Sequence, residues 1–234
     1  MEEKKLLLFD IDGTILTTFG QAKNAFSSAL KEVFGTAGRI DSFSWSGKLD
    51  PNIVIELMDD AGFKKEYILQ NLERVLRLYE KILERDIIPE KVNVKEGIRE
   101  VLKEAYKDKN IILGLCTGNT PEGARIKLSA VNLYKYFKIG AYGTDGDRRE
   151  KLPPIAKRRA EEFFKVKIKD NNVYVIGDAP ADIESAKFNG FYSIAVASGF
   201  HKRKELENHF PDLLIENLKV GRDEFWRFIR NGKP

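Results

Sequence analysis

The chain has 234 residues but only one cysteine, Cys116, so no internal disulfide can form and a cysteine-rich zinc site lacks its ligands. Cys116 lies in "IILGLCTGN", a strand-like run, and is expected to be a small buried apolar residue rather than a reactive thiol. Histidine is nearly as scarce: His201 and His209 both come late in the chain, which gives little support to histidine-based catalysis. No apolar run approaches the roughly 20 residues that cross a bilayer, and the start, "MEEKKLLLFD", is too acidic and its apolar run too short for a secretory signal. A cytoplasmic protein is expected, without a membrane partner. The net charge is only +4, and basic clusters such as residues 157–159 and 201–204 are flanked by acids, the pattern of solvated helical faces. With no aromatic stripe between them, a nucleic-acid partner is not expected.

What is present is a run of short apolar segments, at residues 5–10, 111–116, 139–142, 173–177 and 192–197, that read as strands covered on both faces. Helical patterns lie between the later ones, at 95–106, 121–131, 154–164 and 181–189, the last ending against Gly190, and a final helix is expected at 223–229. This alternation predicts an α/β doubly wound parallel sheet. The first two strands are separated by far more chain than one crossover needs. That interval carries two apolar stripes at helical spacing, Ala22 to Phe34 and Leu72 to Leu83, with a shorter helix at 52–61 between them. Residues 17–92 are therefore expected to form an inserted helical domain, with residues 1–16 and 93–234 forming the α/β domain. Its linkers would be "TTFGQ" at the entrance and "RDIIPEKVNV" at the exit.

In an open α/β sheet the ligand site lies beyond the carboxyl ends of the strands. The first strand is followed by Asp10, Asp12, Gly13 and Thr14, and the second by Thr117, Gly118 and Asn119. The third leads to "GTDGDRREKLPP" with Arg149 and Lys151, and the fourth to "GDAPAD" with Asp178 and Asp182. Clustered carboxylates repel and need a cation or a shared proton. Mg²⁺, a hard ion that prefers oxygen ligands and substrate phosphate, suits them best. One carboxylate of the leading pair can then act as nucleophile and the other as acid and base, while Thr117, the N–H groups around Gly118 and a Lys or Arg suit phosphoryl oxygens.

Together these segments resemble the haloacid dehalogenase superfamily of aspartate-nucleophile phosphohydrolases: "DIDGT" is similar to its leading DxDGT motif, "LCTGN" to its hydroxyl motif and "VIGDAPAD" to its hhGDxxxD motif. The inserted helical domain resembles the C1 cap of the phosphoglycolate phosphatase-like group. The resemblance implies that Asp10 attacks phosphorus and that Asp12 is the acid and base. It implies Mg²⁺ held by Asp10 and Asp178 with the Asp12 carbonyl, Asp182 as a support or outer ligand, and Thr117 and Asn119 on the phosphoryl group. The family's basic residue commonly stands in a K-P-x-P context, whereas this chain has "REKLPP"; Lys151 is the first choice, Arg149 the second and Arg148 the third.

Within the inserted domain, "FSWSGKLDP" (43–51) is where C1 caps carry a substrate-specificity loop, which makes Gly47 and Lys48, with Trp45 behind them, the candidates for substrate contact. The expected activity is hydrolysis of a small phosphate ester by a monomer or homodimer, with phosphoglycolate the guess by resemblance and other small organic phosphates and pyrophosphate next. A haloacid dehalogenase would need neither Asp12 as leaving-group acid nor the metal-type acids. A sugar phosphomutase shares almost every motif. A receiver-type phosphoacceptor module would not need a helical domain over the site.

Overall fold

A computed structural model of the chain describes residues 3–232. The elements run β1 (Lys5–Phe9), β2 (Leu16–Thr17), α1 (Gln21–Phe34), α2 (Asp50–Asp60), α3 (Lys65–Asp86), β3 (Asn93–Val94), α4 (Ile98–Lys107), β4 (Ile111–Cys116) and α5 (Pro121–Ala130). They continue β5 (Ile139–Ala141), α6 (Leu152–Phe164), β6 (Val173–Gly177), α7 (Pro180–Phe188), β7 (Tyr192–Val196), α8 (Arg203–Glu207), β8 (Leu213–Ile215) and α9 (Arg222–Asn231). Six strands form one parallel sheet in the order β5-β4-β1-β6-β7-β8. This is the doubly wound α/β arrangement that the alternation of patterns predicts.

Alternation along the strands divides the core in two. Leu7 and Phe9 of β1 join Leu113, Leu115, Tyr174 and Ile176 on one face, against α4, α5 and α9. Leu6 and Leu8 join Ile112, Val173 and Val175 on the other, against α6. Side chains two apart share a face, so a strand buried on both sides must be apolar throughout, as "LLLF" is. β1 lies at the centre, with Phe9 opposite both Leu115 and Ile176. The chain therefore leaves β1, β4 and β6 side by side, and the loops after these three strands converge on one edge.

The helices α1–α3 share a separate apolar cluster in which Phe26, Leu30, Val54, Leu57, Val75 and Tyr79 are buried. Phe26 and Tyr79 meet ring to ring at 4.0 Å between centroids. α1 stops where Gly35 turns into the left-handed region at φ 77°. The two passages of chain between this lobe and the sheet are tied to each other, because β2 and β3 pair antiparallel through Leu16 with Val94 and Thr17 with Asn93.

Several features differ from the sequence expectations, among them the short helix α8 and the pair β2 and β3. β8 adds a sixth strand at the sheet edge, paired to β7 over three residues, too few for a periodic signal. The stripe at 72–83 belongs to a helix that extends over Lys65–Asp86. α6 begins at Leu152, with both prolines in its first turn, where a missing N–H leaves no helical bond unmade. No helix of the described residues is long and apolar enough to cross a membrane.

Candidate active site

Past Phe9 the chain continues beside β6, with the Asp10 N–H bonded to Ile176 O at 2.9 Å. It then turns sharply at Gly13, whose φ of 93° only glycine adopts readily, and where a Cβ would fall 2.3 Å from Asp178 Oδ2. Glycine there lets the first loop lie directly on the carboxylate just past β6. Thr14 Oγ1 donates to Asp178 Oδ1 at 3.1 Å, and the Phe200 N–H donates to Asp178 Oδ2 at 2.9 Å.

Three buried acids meet here: carboxylate oxygens of Asp10, Asp178 and Asp182 all lie within 4.8 Å of one another. Arg149 enters this group from the turn before α6. Its Nη2 lies 2.9 Å from Asp10 Oδ1 and 2.6 Å from Asp182 Oδ1, and donates to Cys116 O at 3.1 Å. Burial opposes the guanidinium charge, but Asp182 and Asp10 outweigh it and hold its pKa well above the usual value. Burial, with Asp10 and Asp182 adding to it, pushes the Asp178 carboxyl up to about 8. Asp182 is raised as well, chiefly by burial and against the pull of Arg149. An all-oxygen set of crowded acids is a chemical match for a hard divalent cation. Asp10, Asp178 and Asp182 are the described residues that could hold one.

Asp12, two residues on, has different company. Its Oδ2 accepts from Asn119 Nδ2 at 2.8 Å and lies 2.7 Å from Lys127 Nζ. Lys127 also donates to Asn119 Oδ1 at 2.5 Å, and Asn119 Nδ2 donates to Thr117 Oγ1 at 2.8 Å. One carboxylate is thus wired to Arg149 and the acid cluster, the other to Asn119 and Lys127.

The structure brings Asp10, Asp12, Thr117, Gly118, Asn119, Asp178, Asp182 and Arg149 to one place. It does not bring Lys151, the first choice for the basic residue. That side chain is half exposed and pairs with Asp147 at 2.6 Å. Arg148 is exposed and faces Glu150 at 3.3 Å. Gly47, Lys48 and Trp45 line a cavity of about 750 Å³ that also reaches Asp10, Asp12 and Arg149. Lys48 is already paired, with Glu56 at 2.6 Å. Cys116 is fully buried in β4, and burial pushes its thiol up to about 12, in keeping with an inert apolar role.

Two residues at the site escaped the sequence reading. Lys127 is buried between Ile126 and Leu128 on α5, and a lysine in step with that helix's apolar positions was the available signal. Asp50 opens α2 in the helical lobe and is buried against the loop after β4; burial pushes its carboxyl up to about 7, with Lys127 and the Thr120 N–H opposing and Asp12 and Glu80 adding. No sequence signal marks a contact to Thr120, so distant in the chain.

Comparison with known proteins places this geometry. The haloacid dehalogenase-like hydrolase family matches residues 7–196. A phosphoglycolate phosphatase of Pseudomonas savastanoi is 25% identical over 223 residues, 92% of this chain and 77% of that protein. One of Nitrosospira multiformis is 24% identical over 216 residues, 92% of each. Among solved structures, a β-phosphoglucomutase of Clostridium difficile superposes with a TM-score of 0.72 at 18% identity, covering 98% of both chains. A hydrolase of Pseudomonas syringae gives 0.67 at 19% identity, covering 96% of this chain and 99% of that one. At such identities the structures speak for the fold, whereas the family match spans both strand-end acid motifs, and the chain belongs to the haloacid dehalogenase-like hydrolases.

Proposed function

We propose that the chain is a Mg²⁺-dependent phosphatase that hydrolyses a small phosphorylated metabolite, of the phosphoglycolate type, through a phosphorylated Asp10. The observation that carries this reading is the separation of two neighbouring carboxylates into unlike surroundings. Asp10 stands 2.9 Å from Arg149 within the acid cluster, and Asp12 stands 2.7 Å from Lys127 outside it. Carboxyl groups in unlike surroundings can divide the work of nucleophile and proton carrier.

In this reading Asp10 and Asp178 hold Mg²⁺ by their side chains and Asp12 by its carbonyl, with Asp182 in support. The Asp178 carboxyl, raised by burial and by Asp10 and Asp182, is in the crowded position that a divalent cation would relieve. The bound ion would offset the charge of the phosphoryl oxygens. The Asp10 carboxylate attacks phosphorus, and the ester oxygen leaves with a proton from Asp12. An acyl phosphate then remains on Asp10. Asp12, now a carboxylate, takes a proton from water as that water attacks phosphorus, which releases inorganic phosphate and restores Asp10.

Thr117, Gly118 and Asn119 bind phosphoryl oxygens, and Arg149 rather than Lys151 supplies the fixed positive charge. Arg149 Nε, buried with no acceptor among the described residues, supports that assignment. Residues 17–92 act as the cap that keeps bulk water out, and Gly47 and Lys48 face the leaving group from its loop.

The test is hydrolysis of p-nitrophenyl phosphate and of phosphoglycolate by the purified protein, with Mg²⁺ and with EDTA. Metal-dependent release of inorganic phosphate that is lost in Asp10→Asn and Asp12→Asn is the expected result. Turnover untouched by either substitution would overturn the reading. Isomerisation of a hexose phosphate with no release of phosphate would replace it with a phosphomutase.

A further inference from the structure

The helical lobe meets the loop after β4 at Asp50, and Glu80 of α3 also bonds the Thr120 side chain. The Asp50 N–H donates to Gly118 O at 2.8 Å, and Asp50 Oδ2 accepts from the Thr120 N–H at 2.9 Å. These contacts flank Asn119, whose side chain bonds Asp12, Thr117 and Lys127. The lobe also sits tightly on the same loop, since a Cβ at Gly118 would lie 2.0 Å from Lys48 O.

Asp50 is the first residue of α2, after the N-cap Leu49, and its carboxylate accepts from the Thr120 N–H at the start of α5. Lys127, the cation that attracts that carboxylate, is bonded to Asp12 and Asn119 instead. Burying an acid without a paired cation is costly, and here that cost falls where the lobe meets the loop after β4.

We infer that Asp50 is a positioning residue for the reaction: through Gly118 and Thr120 it holds the phosphate-binding loop, and through Asn119 it keeps Asp12 in line. The inference rests on the phosphatase reading. It makes the seating of the lobe part of catalysis, because Asp50 adds a bond on each side of Asn119 to the sheet domain's own hold on the loop, in which the Gly143 N–H donates to Asn119 O at 2.8 Å.

The experiment compares Asp50→Ala and Asp50→Asn with the wild type on p-nitrophenyl phosphate and Mg²⁺. Steady-state kinetics, melting temperature and exchange of the Thr120 amide are read on each. Asp50→Ala is expected to lower kcat about tenfold or more, the scale of one lost hydrogen bond to a charged group, with a smaller change in KM and faster Thr120 exchange. Asp50→Asn keeps an amide oxygen for the Thr120 N–H, so it is expected to recover most of kcat and the slow exchange. The inference is overturned if kcat of Asp50→Ala stays within about twofold of the wild type, a change below the worth of one such bond. It is also overturned if Asp50→Asn restores slow exchange but not kcat. Wild-type protein with no activity on phosphate esters would instead sink the phosphatase reading, whereas an active wild type with an equally active Asp50→Ala sinks this inference alone.

Discussion

The carboxyl edge of the sheet and the interior of the helical lobe differ in what each buries. At the edge, Asp10, Arg149, Asp178 and Asp182 are all buried and all ionisable. In the lobe, Phe26, Val54, Leu57, Val75 and Tyr79 are buried, while ion pairs such as Arg77 with Glu73 stay at the surface. Paired buried charges contribute little net stability and become strongly destabilising when one partner is removed. Apolar burial contributes about 25 cal/mol per Å² without needing a partner. The edge is therefore organised for chemistry on a scaffold stabilised elsewhere, whereas the lobe is held by an apolar cluster and joined to the sheet through the paired strands β2 and β3.

Substitutions can break or sharpen that contrast. The largest effect is expected at Asp10→Asn, which keeps the shape and removes the nucleophile; activity should fall by ~10⁴-fold or more, with the melting temperature little changed because Arg149 keeps Asp182 at 2.6 Å and Asp178 loses a repelling neighbour. Arg149→Met should abolish most activity and also destabilise the protein by ~3–5 kcal/mol, since it leaves Asp10 and Asp182 buried beside no cation. Lys151→Met, two residues away, should leave both activity and melting temperature near wild type. Equal losses in the two variants would erase the distinction drawn between them. In the lobe, Phe26→Ala should cost about 3–5 kcal/mol by opening a cavity beside Tyr79. Hydrogen exchange should show that loss concentrated in α1–α3, with the strands protected as before.

The response to Mg²⁺ and pH tests the edge by itself. The Asp178 carboxyl is raised from the ordinary 3.8 to about 8 in the folded chain. A raised folded pKa means that the folded state holds its proton more tightly, so the stability it contributes is present below the unfolded value and is lost as pH rises toward 8. The metal-free protein should therefore lose melting temperature between pH 5 and pH 8, and the gain on adding Mg²⁺ should be greater at pH 8. A Mg²⁺ effect equal at both values would separate the acid cluster from metal binding.

How much of this was legible in the sequence depends on what positions each residue. Asp10, Asp12, Thr117, Asn119, Asp178 and Asp182 lie just beyond strands whose apolar runs announce them, so strand order alone brings their segments together. Arg149 and Lys151 could not be ranked that way. They belong to one 3₁₀ turn, in which residues two apart point about 240° from each other, and the phase of that turn is set by packing. β8 is too short to show a period. Asp50 reads as an ordinary helix start, because its partner lies across the boundary between lobe and sheet. Residue types carry the chemistry, but contacts between separate bodies leave no periodic trace in either.

The central claim is that Asp10 carries the phosphoryl group during turnover. The most direct measurement is to quench the protein during turnover of a phosphate ester with Mg²⁺, reduce any acyl phosphate with borohydride, and locate the reduced residue by peptide mass. With p-nitrophenyl phosphate, whose leaving group needs no proton, homoserine is expected in place of Asp10 in the wild type, more of it in Asp12→Asn, where hydrolysis of the acyl phosphate is slowed, and none in Asp10→Asn. Reduction at another residue, or none under conditions where turnover proceeds and a control acyl phosphate is trapped, would contradict it.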